Sequence, residues 1–262
     1  MILAIDVGNT GIAFGFYKEQ SIVHHEKVSS KPYRTKDEIV MLLNNICNHK
    51  KIQPADVEGC AISSVVPPLT EQVRQGAEEL FACKPLLVTH GLKTGLNIRI
   101  DVHTQLGSDI VANNVAAANI LPKPFAVIDL GTATTISAVN SSGELNGVII
   151  IPGTRLAVDA LSASAAELPY ISLSRPKALL GKNTQDSMVS GCIYGTACMI
   201  DGIIDKLKTE FNTNQLSVIA CGGLVDEIIP YCKTRIEVNR FLTLDGLVQL
   251  YYMNQRKVKS YI

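Results

Sequence analysis

The chain has 262 residues, 47% of them hydrophobic and 18% charged, enough to bury a substantial core in one large domain or two ordinary ones. Lys plus Arg and Asp plus Glu number 24 each, so the formal net charge is zero and no long basic face is present. The one cationic cluster, Arg256-Lys257-Val258-Lys259, reads as a solvated tail, and no nucleic-acid partner is expected.

The opening stretch, "MILAIDVGNTGIAFGFY", is an apolar strand that carries Asp6 at its tip and turns back through Gly8-Asn9-Thr10-Gly11. It is not a charged leader followed by an apolar run, so no secretory peptide is expected. "MILAIDVG", "GIAFGFY" and "SIVHHEKV" predict a three-strand meander. "TKDEIVMLLNNICNH" then predicts an amphipathic helix, "VEGCAISSVV" a buried strand, "PPLTEQVRQGAEELF" a helix opened by proline, and "PLLVT" a further strand. "DIVANNVAAANIL" predicts a helix running into Pro122 and Pro124.

The second half repeats this opening. "LAIDVGNTGIAFGFYKEQ" and "AVIDLGTATTISAVNSSGEL" share an apolar run, an Asp, an apolar residue, a Gly, polar residues and renewed alternation. Asp6 and Asp129 lie about half a chain length apart, a period that suits two similar subdomains and not a solenoid. "FAVIDLG", "TTISAVN" and "LNGVIII" predict a second meander; "TRLAVDALSASAAEL", "SMVSGCIYGTACMIDGIIDKLKTEF" and "LDGLVQLYYMN" predict helices, with "LSVIACGG" a strand between them. The expected fold class is α/β, two mixed sheets flanked by helices, divided into residues 1–115 and 116–262.

The best apolar window, "LNGVIIIPG", is too short to cross a membrane and contains Pro152, so no membrane partner is expected. Seven cysteines without a C-x-x-C pair read as reduced core thiols of a cytoplasmic protein, and the spacing of Cys192 and Cys198 does not suit tetrahedral zinc.

A carboxylate at a strand tip followed by a glycine-bearing turn suits a polyphosphate. Glycines let the backbone approach, main-chain N–H groups and Asn or Thr side chains donate to phosphate oxygens, and the carboxylate acts through Mg²⁺ or its waters. Two such hairpins facing each other would clamp a nucleotide; taken singly, each reads equally as an ordinary Asn/Gly turn. "VIACGGLVDEI" offers a third element, in which Gly222-Gly223 admits adenine and ribose or merely turns a strand into a helix. Neither a G-x-x-x-x-G-K-[ST] loop nor a G-x-G-x-x-G fingerprint is present.

"DVGNT", "LGSDIVAN", "IDLGTATT" and "GKNTQDSMVSG", in this order, resemble the type III pantothenate kinase family of the actin-like ATPase superfamily, with its ribonuclease-H-like fold. The resemblance spans nearly the whole chain. It implies ATP-dependent phosphorylation of pantothenate to 4′-phosphopantothenate, the first step toward coenzyme A, by a homodimer using Mg²⁺ and a monovalent cation (K⁺ or NH₄⁺). It assigns ATP phosphate binding to Asp6, Val7, Gly8, Asn9, Thr10, Gly11, Ile12 and Ala13, with Asp6 reaching Mg²⁺ through water, and to Thr132. Asp129 would help hold the monovalent cation, and Gly107-Ser108-Asp109 would be the substrate segment, with Asp109 accepting the hydroxyl proton. Thr184 would contact pantothenate across the dimer. The residues independently allow Asp109 that role, since phosphoryl transfer needs a carboxylate near the attacking oxygen, and they allow a plain helix cap as well.

Three positions depart from the family pattern, all in the acceptor pocket. Its Gly-x-Asp-Arg has Ile110 for arginine, its upstream tyrosine is Ile100, and its Gly-Pro-Gly is Thr89-His90-Gly91. Ile110 and Ile100 keep their places in the expected substrate-binding set, and they leave open a kinase of another hydroxylated acceptor or a catalytically silent nucleotide-binding relative. His90, Arg99 and His103 are nearby groups that could compensate, or simply loop residues.

Overall fold

The computed structural model describes residues 1–165 and 167–255, apart from the His103 side chain; the basic cluster at 256–259 lies outside the described residues. In chain order, β1 (Ile2–Val7), β2 (Gly11–Lys18) and β3 (Ser21–Ser29) form the first meander, followed by α1 (Lys36–Lys50), β4 (Gly59–Ser64), α2 (Pro67–Phe81) and β5 (Leu86–Leu87). β6 (Asn97–Ile98) and α3 (Ser108–Ile120) lead to the second meander, β7 (Phe125–Leu130), β8 (Ala133–Val139) and β9 (Glu144–Pro152). Then come α4 (Thr154–Ser164), α5 (Thr184–Glu210), β10 (Ser217–Cys221), α6 (Val225–Ile228), β11 (Glu237–Val238) and α7 (Leu242–Asn254).

The first sheet has the order β3-β2-β1-β4-β5 and the second β11-β10-β7-β8-β9-β6. Reversed and without β6, the second order repeats the first strand for strand. The pairings match too: β1 runs parallel to β4 and β7 to β10, while each meander is antiparallel. Each outer hairpin slips register once, at Phe16/Tyr17 and at Ala138/Val139. Asp6 and Asp129 are each the one position of their strand that is not buried. The expected mixed α/β class with a duplicated meander is the observed one.

The chain divides into two compact units, one of Met1–Gly95, Val102–Ala116 and Phe241 onward, the other of Leu96–Asp101 and Ala117–Arg240. The division at 116 falls inside α3, while β6 and α7 each belong to the unit on the other side of it in sequence. In the first unit, Leu3, Ile5 and Val7 of β1 and Phe14 and Phe16 of β2 pack against Ile39 and Leu43 of α1 and Leu69 and Val73 of α2. Each such side chain contributes about 1.5–3 kcal/mol on burial. α1 starts at a reciprocal cap, with Glu38 N–H donating to Thr35 Oγ1 and Thr35 N–H donating to Glu38 Oε2 at 2.8 Å. α7 lies close on α3, because Gly246 has no side chain to strike the Ala112 carbonyl.

In the second unit, Val189, Ile193, Ala197, Ile200 and Ile204 of α5 pack on Ala126 and Ile128 of β7 and Val218 and Ala220 of β10. α5 is 27 residues long and is the one helix among the described residues long and apolar enough to cross a membrane; its buried stripe accounts for that composition as a core helix. None of the seven cysteines, all of them among the described residues, is in a disulfide: Cys47, Cys60 and Cys221 are buried, Cys83, Cys192 and Cys232 half-buried, and Cys198 is exposed.

Candidate functional site

The first hairpin turn closes with Gly8 N–H donating to the Gly11 carbonyl at 3.0 Å. Asn9 and Thr10 at its tip are exposed. Val7 and Ile12 flank the turn with fully buried side chains, so only their peptide groups can face a ligand. Asp6, Gly8, Gly11 and Ala13 are half-exposed along the same edge. Ser30, which the local pattern does not single out, fastens the turn from outside it. Its hydroxyl donates to the Gly8 carbonyl at 2.5 Å and its N–H to the Thr10 carbonyl at 3.2 Å, and the residue is fully buried.

The second hairpin is built alike in its own unit. Asp129 sits at the tip of β7, paired in register with Thr135 of β8 and Cys221 of β10. Thr132 is exposed at the turn, and its carbonyl accepts the Gly153 N–H at 3.1 Å. Gly222 has φ +99°, and a side chain there would stand 2.6 Å from Asp129 Oδ1 and from Leu130 backbone atoms. Its bareness therefore serves the Asp129 carboxylate and the β7 backbone. Gly223 has open space where a side chain would project. The helix that follows is a single turn, α6, succeeded by a 3-10 turn at Ile229–Tyr231, because Pro230 cannot continue the helical hydrogen bonding.

Asp109 occupies the first turn of α3, and Gly107 has no side chain to strike its carboxylate. Oδ1 accepts the Ile110 N–H at 2.8 Å, so the carboxyl takes up one N–H group of the first turn; because the helix begins at Ser108, Asp109 lies within it and is not its N-cap residue. Burial raises its pKa above the ordinary carboxylate range, opposed by hydrogen bonds from the Ile110 and Asp109 N–H groups. Ser108 ties this helix start to the end of β4. Its hydroxyl lies 2.9 Å from Ser63 Oγ and accepts the Ser64 N–H at 3.1 Å. Ile110 is 8% exposed and its carbonyl accepts the Asn114 side-chain amide at 2.9 Å.

Ile100 follows β6 and is half-exposed. Its neighbour Arg99 donates to Glu144 at 3.2 Å, and the hydrogen bond from Asn140, followed by that from Arg99, holds this carboxyl below its usual range. His90 is exposed in a loop, and the His103 side chain lies outside the described residues.

Thr184 begins α5 behind Asn183, whose side chain accepts the Asp186 N–H at 2.8 Å. It is exposed at the rim of a cavity of about 1010 Å³ within the second unit, walled by the end of β9, by α4 and by the first four turns of α5. Ile151, Leu161, Met188 and Met199 make the cavity apolar. Gly191 and Gly195, four residues apart inside a helix, leave room for it. Among the described residues no three His, Cys, Asp or Glu side chains cluster as metal ligands.

Solved structures with the same architecture include a ROK hexokinase from Thermus thermophilus, with TM-score 0.54 at 10% identity over 96% of this chain and 98% of that one. A Campylobacter jejuni protein described as a Baf family transcriptional activator gives 0.57 at 16% identity, again over 96% and 98%. Identities this low speak to the fold alone, which is that of the actin-like ATPases and ROK kinases. A sequence model of the type III pantothenate kinases matches residues 2–206. A type III pantothenate kinase from Exiguobacterium sp. (strain ATCC BAA-1283 / AT1b) is 39% identical over 256 residues, 98% of this chain and 100% of the relative. The chain belongs to the type III pantothenate kinase family, and with it to the ATP-using kinases.

Proposed function

We propose that the protein transfers the terminal phosphoryl group of ATP to pantothenate, giving 4′-phosphopantothenate in the first step toward coenzyme A. Asp109 takes the proton of the acceptor hydroxyl as its oxygen bonds to phosphorus, and the bond from phosphorus to the departing ADP breaks. The observation that carries this reading is the Asp109 carboxyl itself. It is half-buried, raised in pKa and fixed at a helix start by the Ile110 N–H, within a segment matched by the family.

The hairpins at 6–13 and at 129–135 supply the phosphate donors, through peptide N–H groups and through Asn9, Thr10 and Thr132. Asp6, a carboxylate at a strand tip, fits Mg²⁺ held mainly by phosphate oxygens and water, the way this ion is usually bound beside nucleotides. Mg²⁺ would neutralise charge on the phosphoryl group in flight. Asp129 fits a monovalent cation, K⁺ or NH₄⁺, in the same single-carboxylate manner. Gly222-Gly223 is assigned to the nucleotide as well. The decisive experiment is ADP release with pantothenate as acceptor, with and without K⁺. Turnover that depends on pantothenate supports the reading, and none with any cation ends it.

A second reading is favoured by Ile110, whose buried side chain offers nothing to a carboxylate. On it, the acceptor is another small alcohol, or the chain binds nucleotide without turnover. Ile110→Arg separates these. Supplying the missing contact lowers KM for pantothenate by roughly 10- to 150-fold, the worth of a charged hydrogen bond of about 1.5–3 kcal/mol. A higher KM with an unchanged melting temperature points instead to an acceptor lacking that carboxylate.

The protein acts as a homodimer in this proposal, with Thr184 reaching the partner's substrate. Support comes from the apolar cavity beside Thr184 and from Ile150 and Leu180, which are 70% and 81% exposed. Leu180→Asp is expected to shift sedimentation from dimer to monomer and to raise KM for pantothenate. A wild-type protein that sediments as a monomer removes the proposal.

A further inference from the structure

We propose that Ser63, at the buried end of β4, is a positioning residue that holds Asp109 in place through Ser108. The inference rests on the reading of Asp109 as the base. Ser63 is fully buried, and its hydroxyl shares a 2.9 Å hydrogen bond with Ser108 Oγ, the first residue of α3. Ser108 is gripped again by the next residue of β4, accepting the Ser64 N–H at 3.1 Å and donating to the Ser64 carbonyl at 3.3 Å. Ser64 is braced in turn by Thr70 of α2, hydroxyl to hydroxyl at 2.7 Å. The start of α3 is thus pinned to a strand end by side chains, and Asp109 is the next residue along.

The parallel register adds a second consequence. Asp6 of β1 pairs with Ser63 of β4, so the residue that anchors the base's helix stands beside the carboxylate of the first hairpin. One strand end ties the phosphate-binding turn to the proton acceptor within a single unit. A buried serine at this point would otherwise be a poor choice, because an unpaired hydroxyl there costs about 1–3 kcal/mol and alanine would pack as well. Reactions of this kind lose about 10²-fold for a misplacement of about 1 Å, so a modest drift of α3 is enough to be read in turnover.

The test measures Ser63→Ala in wild-type and Asp109→Asn backgrounds, with kcat and KM for ATP determined separately. Ser63→Ala is expected to lower kcat about 10-fold with KM for ATP held within about twofold. Added to Asp109→Asn, it is expected to lower kcat no further, since it acts only through that carboxylate. An equal loss in both backgrounds overturns the proposal, because the serine then serves the fold at large. Ser63→Ala with wild-type kcat, in a protein that Asp109→Asn inactivates, overturns it while leaving the base reading intact; full activity of Asp109→Asn overturns both. Ser108→Ala, at a half-exposed site, probes the same link where Ser63→Ala fails to fold.

Discussion

Asp109→Asn is expected to lower kcat by about 10²–10⁴-fold, the usual worth of a positioned base, while raising the melting temperature at pH 7. The two effects have one cause. Burial raises the Asp109 pKa, so the folded protein holds this proton more tightly than the unfolded chain does. Where the folded state binds more protons, stability falls as pH rises. The carboxyl is thus least costly below the ordinary carboxylate range. That advantage is lost as pH climbs through the raised folded value, and near neutrality the buried charge is a net burden.

Asparagine keeps the shape and can still accept the Ile110 N–H, but it carries no charge to bury. The gain in melting temperature should therefore shrink as pH is lowered and vanish below the ordinary carboxylate range. In the wild type, the acid limb of kcat/KM should fall at a higher pH than an exposed aspartate would give, because the base works only when ionised. An Asp109→Asn protein with wild-type turnover removes the base. One that is inactive and less stable at pH 7 shows that the carboxyl is needed chiefly to hold the first turn of α3.

The two hairpins are legible in the sequence because their signal is local: an apolar strand, one Asp, a glycine turn and renewed alternation. The same locality makes α2 match its prediction over Pro67–Phe81, with proline in its first turn. Elements with two paired residues each, such as β6 and β11, leave no period to read, although β5 falls within the strand expected at "PLLVT". The fastenings of the site are also invisible in one dimension. Ser30 reaches back to Gly8, and Ser108 reaches the end of β4 from a distant segment. Only the β1–β4 register brings Ser63 beside Asp6. Arg99 looks available in the sequence, yet it is committed to Glu144, a partner that the pairing of β6 with β9 supplies.

Gly222→Ala is expected to be strongly destabilising, and Gly223→Ala to be structurally silent. Alanine at 222 must adopt φ near +99° and must also place its methyl 2.6 Å from Asp129 Oδ1 and from Leu130 backbone atoms. Backbone cannot swing aside as a flexible side chain can, so β10 has to part from β7 at the pair Cys221–Asp129. Strain of this kind together with the collision costs about 2–4 kcal/mol, a fall in melting temperature of roughly 5–15 °C for a chain this long. KM for ATP should rise as well, because the displaced carboxylate is the one assigned to the cation. At Gly223 the side-chain direction is open, so alanine leaves the melting temperature unchanged. If adenine and ribose approach that bare backbone, Gly223→Ala raises KM for ATP without any loss of stability. An unchanged KM confines the role of the pair to the turn after β10, and a Gly222→Ala protein as stable as the wild type contradicts the close packing of that turn against Asp129.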